Sequence, residues 1–236
     1  MHAPSINIKS IALFTVLSLF VAFPTALLAA DAGAIEKLSG TATIVGADNV
    51  SRAAGAKAKI QAGDTIATDA KSETLIRLSD DTAIILRPNS RFQVVDYKYD
   101  KAPTDSSFVS LLRGTARFVT GLIGKNRPSN IHFTAATITI GIRGTDFEVA
   151  IVPEDTADAR AGVYDYVHDG STNIMLAQTG QNLDVKKDQT AFAPDKLRPG
   201  EDALQILRET PIFLQSGGGL DALIQSITAP IPMFFR

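Results

Sequence analysis

The chain of 236 residues has no cysteine and only three histidines. Without cysteine there can be no disulfide, iron–sulfur cluster, thiolate zinc site or cysteine nucleophile. Of His2, His132 and His168, His2 lies in the N-terminal segment that we expect to be removed, so few histidines remain and a catalytic triad or a multi-histidine metal site is hard to assemble. The sequence therefore predicts neither a cofactor nor a metal site.

The charge is also unremarkable, with 23 basic residues against 25 acidic ones and no basic run beyond Lys186-Lys187. Proteins that bind nucleic acid broadly need clustered Lys and Arg side chains to replace phosphate counterions, so we expect no nucleic-acid partner. A length of 236 residues with 45% hydrophobic side chains is sufficient for one sizeable core.

The first thirty residues have the layout of a secretory signal peptide. Lys9 precedes an apolar run over residues 11–23, Pro24 closes it, and small residues follow at Ala29 and Ala30. The run is shorter than the roughly 18 residues of a membrane span, although an uncleaved anchor is the alternative. We expect cleavage after Ala30 and a periplasmic protein without an integral membrane span, with secretion as the alternative location.

Residues 31–194 predict an all-β domain. Apolar residues recur mostly with period two, and turn residues interrupt them about every eight to twelve positions. We expect many short, mainly antiparallel strands in a twisted sandwich or barrel; a β-solenoid is the competitor, although no clean repeat of 20–25 residues is visible. Hairpins are predicted at Ser79-Asp80-Asp81 and at Asp169-Gly170, and a turn at Arg143-Gly144-Thr145.

Residues 195–236 differ in composition and predict a helical and apolar tail. Helical spacing of apolar residues indicates short helices over residues 201–209 and 220–227, joined by the flexible run Gly217-Gly218-Gly219. The tail ends in an apolar segment that includes Phe234 and Phe235. Packing of this tail on its own β domain is favoured over binding of a partner, because an exposed apolar patch is costly.

Four sequence blocks resemble, in order, the FecR-type periplasmic domain, the extracytoplasmic β domain of iron-responsive signal transducers. They are residues 60–90, residues 111–118, the RGT-x-F signature within residues 142–149, and Gly180-Gln181. Within the blocks, a structural role is implied for Gly63, Asp64, Pro88, Asn89, Gly114, Arg143, Gly144, Thr145 and Phe147. The sequence departs from the family at Asp80-Asp81, where the family more often has Asp-Gly.

The resemblance implies a non-enzymatic interaction, scaffolding or signalling module of the bacterial cell envelope. Transducers of this family carry a cytoplasmic anti-sigma segment and a membrane helix before the β domain. Here a signal peptide leads directly into the β domain, so we expect a stand-alone domain without the anti-sigma segment. Its partner would be an envelope protein or polysaccharide, bound at strand edges, at the loops 98–106 and 121–130, or by the tail.

Two alternatives rest on particular side chains. Tyr164 and Tyr166, with Phe234 and Phe235, could form a binding surface, and exposed tyrosine rings would suit an envelope polysaccharide. Packing of the two tyrosines under the C-terminal tail is favoured over that use. The third hypothesis is a glycosidase that uses Asp146 and Glu148, which share a strand face with Cβ atoms about 7 Å apart. A structural clamp between Arg143 and Asp146 is favoured over that catalytic role.

Overall fold

The computed structural model describes residues 31–215 and 217–228. The predicted signal peptide and its cleavage site, and the predicted binding residues Phe234 and Phe235, lie outside the described residues.

Within these residues the chain forms fifteen β-strands, three α-helices and one 3-10 helix. Their bounds, in chain order, are β1 (Asp31–Ser39), β2 (Ala42–Val45), β3 (Ser51–Ala53), β4 (Lys59–Gln61), β5 (Thr65–Thr68), β6 (Glu73–Leu78), β7 (Ala83–Leu86), β8 (Arg91–Lys98), β9 (Ser106–Val119), α1 (Leu122–Asn126), the 3-10 helix (Pro128–Asn130), β10 (Ile131–Ala135), β11 (Ile138–Val152), β12 (Gly162–Leu176), β13 (Asn182–Lys186), β14 (Thr190–Pro194), β15 (Gln205–Ile206), α2 (Ile212–Gln215) and α3 (Asp221–Thr228).

The strands form one continuous sheet that folds into two layers, because the long strands β9, β11 and β12 each contribute to both. In the first layer the strand order is β4-β1-β6-β7-β9-β11-β12-β14-β15. The second halves of β9 and β11 and the first half of β12 belong to this layer. In the second layer the order is β3-β2-β5-β8-β9-β10-β11-β12-β13. Only the β9–β10 pair is parallel among these pairings.

Glycines with positive φ mark the points where the three long strands pass from one layer to the other. Gly114 (φ 79°), Gly144 (φ 59°) and Gly170 (φ 79°) lie inside β9, β11 and β12 respectively. The register between β11 and β12 shifts around Asp146, as in a β-bulge. The predicted hairpin at Asp169-Gly170 and the predicted turn at Arg143-Gly144-Thr145 are therefore wrong, because both glycines bend a strand that continues across the corner.

We expect Gly170→Ala to lower the free energy of unfolding by about 1–3 kcal/mol. A Cβ atom at Gly170 would lie 2.5 Å from the carbonyl oxygen of Gly144, and the backbone there cannot move without opening the bend. Gly180→Ala is the matched control, because Gly180 has a φ of 70° but no atom within 4 Å of its Cβ position. Urea denaturation of both variants measures the difference; equal losses would contradict a role for close packing at the corner.

The core between the layers is centred on four phenylalanine rings. Phe92 and Phe133 come from the second layer, Phe118 and Phe147 from the first, and all four are fully buried. Ring centroids lie 5.4–6.2 Å apart in tilted and edge-to-face arrangements, which suit aromatic packing. The RGT-x-F block thus places its phenylalanine in the centre of the core.

The C-terminal segment packs on the outer face of the first layer. Leu214 of α2 contacts Ala150, Tyr164 and Phe192, while Leu220 and Ile224 pack with Leu75, Ala83 and Ile85 at α3. The expected helix at 220–227 is confirmed as α3. The expected helix over residues 201–209 is wrong: Gln205 and Ile206 instead pair with β14 as the edge strand β15.

The all-β prediction with short C-terminal helices is confirmed, and the β-solenoid alternative is not supported, because the strands form two facing layers rather than a coil of repeats. None of the helices in residues 31–215 and 217–228 combines the length and hydropathy that a transmembrane segment needs.

Candidate functional site

Charged side chains gather on the outer face of the first layer, between the sheet and α3. We call this group the ion cluster. It consists of Glu73 on β6, Arg87 after β7, Arg117 on β9, Asp146 and Glu148 on β11, His168 on β12 and Asp221 at the start of α3. Four carboxylates thus surround two guanidinium groups.

Arg87 lies at the centre of the ion cluster and is only 8% exposed. Its Nε atom donates to Glu148 Oε1 at 2.8 Å, one terminal nitrogen donates to Asp221 Oδ1 at 2.9 Å, and the other donates to Glu73 Oε1 at 3.4 Å. Burial opposes the charge of Arg87, but the hydrogen bonds and attraction of Glu148 and Asp221 outweigh it and hold its pKa above the usual value.

Arg117 makes the second set of ion pairs. Its Nε and one terminal nitrogen donate to Asp146 Oδ1 and Oδ2 at 2.8 and 2.6 Å. The other terminal nitrogen donates to Asp221 Oδ1 at 3.1 Å. The predicted clamp between Arg143 and Asp146 is therefore wrong. A bulge separates the two residues. Arg143 is exposed and pairs in register with Ser171 on β12, while Asp146 pairs in register with Val119 on β9.

Glu148 is 3% exposed and is held by two neighbours, Arg87 and His168, whose Nε2 lies 3.4 Å from Glu148 Oε2. Burial alone would raise the pKa of Glu148, but hydrogen bonds from His168 and Arg87 outweigh burial and lower it. A glycosidase acid needs a raised pKa, so the lowered pKa of Glu148 does not suit this residue to the role of the acid. His168 lies within β12, whereas the hairpin predicted at Asp169-Gly170 would have placed it at the end of a strand.

The N-terminus of α3 sits directly on the ion cluster. The Leu220 N–H donates to Glu73 Oε2 at 3.3 Å, and Asp221 bridges Arg87 and Arg117. A Cβ atom on Gly218 would lie 1.8 Å from Glu73 Oε1, so the glycine run allows the chain to pass close to these charges.

We expect Asp221→Asn to loosen α3 without unfolding the sheet, at a cost of about 1–2 kcal/mol. Without Asp221, Arg87 still pairs with Glu148 and Arg117 with Asp146, so no buried guanidinium loses all its partners. Hydrogen exchange should become faster for the α3 amides and stay unchanged in β11. Asp202→Asn, at an exposed position, is the control; equal exchange of α3 in both variants would contradict the bridging role.

The two tyrosines predicted to bind sugars are not both available at the surface. Tyr164 is 4% exposed, and its ring stacks on Phe192 (centroids 4.5 Å apart) under Phe213 of α2. Tyr166 is half-buried and lies edge-on to His168. The structure thus packs Tyr164 beneath the C-terminal segment, which is the use of this side chain that the sequence favoured.

The motif residues of the first block support turns. Gly63 has a φ of 89°, and the Asp64 carboxylate accepts the Gln61 N–H at 2.8 Å and pairs with Arg52. Pro88 and Asn89 form the turn between β7 and β8, and Asn89 has a φ of 56°.

The motif residues of the later blocks hold the corner of the sheet. Thr145 donates its N–H to Thr120 Oγ1 at 3.0 Å, and that hydroxyl donates to the Thr145 carbonyl at 2.8 Å. Gly114 lies against Ser90, where a Cβ atom would come within 2.4 Å of the hydroxyl oxygen. These contacts give Gly114 and Thr145 a structural explanation. The Arg143 side chain is exposed and forms no ion pair among the described residues.

The hairpin at Ser79-Asp80-Asp81 is confirmed, but its tip is not fully solvated. Asp80 is fully buried, where its carboxylate accepts hydrogen bonds from the Tyr97 hydroxyl (3.1 Å) and the Thr82 hydroxyl (2.9 Å). Asp81 adopts the left-handed conformation, with a φ of 66°, in the place where the family more often has glycine.

Four members of the ion cluster were not predicted from the sequence: Glu73, Arg87, Arg117 and Asp221. One signal was available, because Arg117 alternates with the buried residues Ala116 and Phe118 and so must lie on the outer face of β9. The distance of 134 residues between Arg87 and Asp221 left no sequence signal for that ion pair.

The predicted partner loops come together at one end of the molecule. Residues 98–106 and 121–130 enclose a cavity of about 320 Å³ lined by Tyr99, Lys101, Leu122, Ile123 and Arg127, among others. No group of three or more His, Asp or Glu side chains in the described part of the chain is arranged to hold a metal ion.

Part of the chain resembles a known protein family. Residues 64–165 are similar to the family described as FecR protein. No curated protein matches the chain in sequence. Two crystal structures, each described as a candidate anti-sigma factor from Parabacteroides distasonis, resemble it with TM-scores of 0.46 and 0.47 at 13% and 14% identity. The similarity covers 62% and 68% of this chain but 60% and 64% of those chains, less than two thirds of their length.

Proposed function

We propose that this protein is a non-enzymatic interaction or signalling module of the bacterial cell envelope, which acts by binding an envelope component. The FecR match supports a regulatory rather than a catalytic role. The observation that carries the proposal is the state of Asp146 and Glu148, since each carboxylate is held by an arginine beneath α3. The strongest candidate catalytic pair therefore serves to fix the C-terminal segment.

A photo-crosslinking residue at position 122 tests this proposal. Leu122 is 38% exposed at the rim of the cavity between the two predicted partner loops, and Leu197, 56% exposed in the loop after β14, is a control position. In envelope preparations we expect a specific adduct from position 122 and not from position 197. Absence of adducts from both positions would contradict binding through these loops.

Catalysis is tested in parallel with envelope glycans as substrates. We expect no release of reducing ends by the full chain. Hydrolysis that Glu148→Gln abolishes while the protein remains folded would overturn the non-enzymatic proposal.

A further inference from the structure

The outer face of the second layer differs from that of the first, because among the described residues α2 and α3 cover only the first layer. On β8, β9 and β10, buried residues alternate with side chains that point away from the core. We call the outward side chains of β8–β12 in this layer the open face. Three neighbouring rows of this face have different chemistry.

The first row is a pair of arginines. Arg91 on β8 and Arg113 on β9 are register partners, both are exposed, and neither makes an ion pair among the described residues. Five other arginines, at positions 52, 77, 87, 117 and 160, pair with a carboxylate, and those at positions 127, 143, 198 and 208 form no ion pair among the described residues. Arg91 and Arg113 differ from the latter because they are register partners on neighbouring strands. Like charges directly opposite on neighbouring strands repel, and an oxyanion between two guanidinium groups relieves this repulsion and accepts charge-assisted hydrogen bonds.

The second row is made of hydroxyl and amide groups. Gln93 pairs in register with Ser110, Ser110 with Thr134, and Thr134 with Thr139. The Thr134 hydroxyl donates to Ser110 Oγ at 2.9 Å. Neighbouring strands are about 4.8 Å apart, so these four side chains span about 14 Å across the sheet. Such groups both donate and accept hydrogen bonds, as the hydroxyls of a sugar chain require.

The third row offers an apolar contact and a recess. The rings of Phe108 and His132 meet edge to face with centroids 6.1 Å apart, and Phe108 is 37% exposed. Next to His132, Gly141 contributes no side chain, and a cavity of about 380 Å³ opens there, bordered by Thr139 and Asn173. A partly exposed ring beside a recess suits the apolar face of a sugar.

We propose that the open face binds an acidic polysaccharide, whose carboxylate lies between Arg91 and Arg113 while its hydroxyls follow the row from Gln93 to Thr139 and one ring contacts Phe108. This inference rests on the proposed role as a binding module and names the class of ligand. An acidic peptide would use the arginine pair but not the hydroxyl row, and the net charge of −2 does not favour a general attraction to anionic membranes.

Affinity electrophoresis and calorimetry of the full chain with polygalacturonate test the inference, with neutral dextran as the uncharged control. We expect binding to polygalacturonate that R91Q/R113Q weakens about tenfold or more. The double variant R198Q/R208Q removes the same charge at exposed positions outside the open face and should bind like the original chain. If both double variants weakened binding equally, the effect would depend on net charge rather than on Arg91 and Arg113, and the inference would be contradicted.

Two further measurements test whether the variants remain folded and whether the second and third rows contribute to binding. Removing the opposed charges should leave the melting temperature of R91Q/R113Q in low salt unchanged or raised, which shows that lost binding is not unfolding. Thr134→Val and Phe108→Ala should weaken polygalacturonate binding several-fold and leave binding of polyglutamate unaffected. Equal binding of polyglutamate and polygalacturonate would indicate an acidic peptide site, and binding to anionic vesicles alone a membrane site; either overturns the inference.

Failure of this inference and failure of the proposed function give different results. If the chain does not bind polygalacturonate but position 122 still forms its adduct, the ligand class is wrong and the binding module stands. If the chain hydrolyses the glycan, the proposed non-enzymatic function fails.

Discussion

Replacing Arg87 with alanine is expected to lower the free energy of unfolding by about 3–5 kcal/mol. Three carboxylates, Glu73, Glu148 and Asp221, lose their shared counter-ion, and Glu148 is almost completely buried. With only His168 left beside it, the buried Glu148 carboxylate must either remain charged in a poor solvent or take up a proton, and each is costly. Chemical denaturation near pH 7 measures the loss.

Two companion variants keep this prediction testable if Arg87→Ala does not fold. Arg87→Lys retains one positive charge but cannot bind three carboxylates in the planar arrangement of a guanidinium, so we expect a smaller loss than with alanine. Arg77→Gln is the matched control, because Arg77 pairs with Glu36 at the surface and such pairs contribute about 0–1 kcal/mol. A loss for Arg87→Ala no larger than that for Arg77→Gln would contradict the ion cluster's structural role.

Replacing Asp165 with asparagine is expected to stabilise the protein above pH 7. Asp165 on β12 is 1% exposed, its Oδ2 accepts the Thr172 hydroxyl, and its Oδ1 has no hydrogen-bond partner among the described residues. Burial raises its pKa from 3.8 to about 7, although the bond from Thr172 opposes the shift. At about 1.4 kcal/mol per pH unit, ionising this group costs the folded state up to about 4 kcal/mol at pH 8.

The direction of the pH dependence follows from the raised pKa. Between about pH 4 and pH 7 the folded protein keeps a proton on Asp165 that the unfolded chain has lost, so the free energy of unfolding falls as pH rises through this window. Glu148 acts in the opposite sense and at lower pH, because its lowered pKa contributes stability that is lost as the solution becomes acidic.

Denaturation curves between pH 4 and pH 8 separate these effects. Asp165→Asn should remove the fall in stability and make the variant the more stable protein at pH 8. Asp169→Asn, at an exposed position four residues along β12, should leave the fall unchanged. A pH profile for Asp165→Asn that coincides with that of the original chain would show that Asp165 does not ionise in this range.

The turns predicted at Gly144 and Gly170 were wrong for a physical reason. Both Gly144 and Gly170 have the positive φ that a turn would need, so the residue types alone fit a turn and a strand bend equally well. The choice between them depends on whether partners continue beyond the glycine. Pairing of Arg143 with Ser171 and of Phe147 with Val167 on either side of the bend keeps β11 and β12 together through the corner.

The helix predicted over residues 201–209 was also wrong, because strand pairing with a distant part of the chain decides the structure of this segment. Its apolar residues have helical spacing, but Gln205 and Ile206 complete the edge of the first layer beside Ala191 and Phe192, and that pairing overrides the local preference. The helix at 220–227 was predicted correctly, because its apolar side also fits the outer face of β6 and β7.

The fold class, the β6–β7 hairpin and the FecR-type motif positions could be predicted from the sequence, because alternation of apolar residues and turn chemistry are local properties of the chain. Which charges meet depends on contacts between distant parts of the chain. Arg87 and Asp221, and likewise Arg91 and Arg113, become neighbours through strand register and helix docking, and neither of these is encoded at short range. The candidate sites therefore could not be predicted from the sequence, because their residues become neighbours only in the folded two-layer structure.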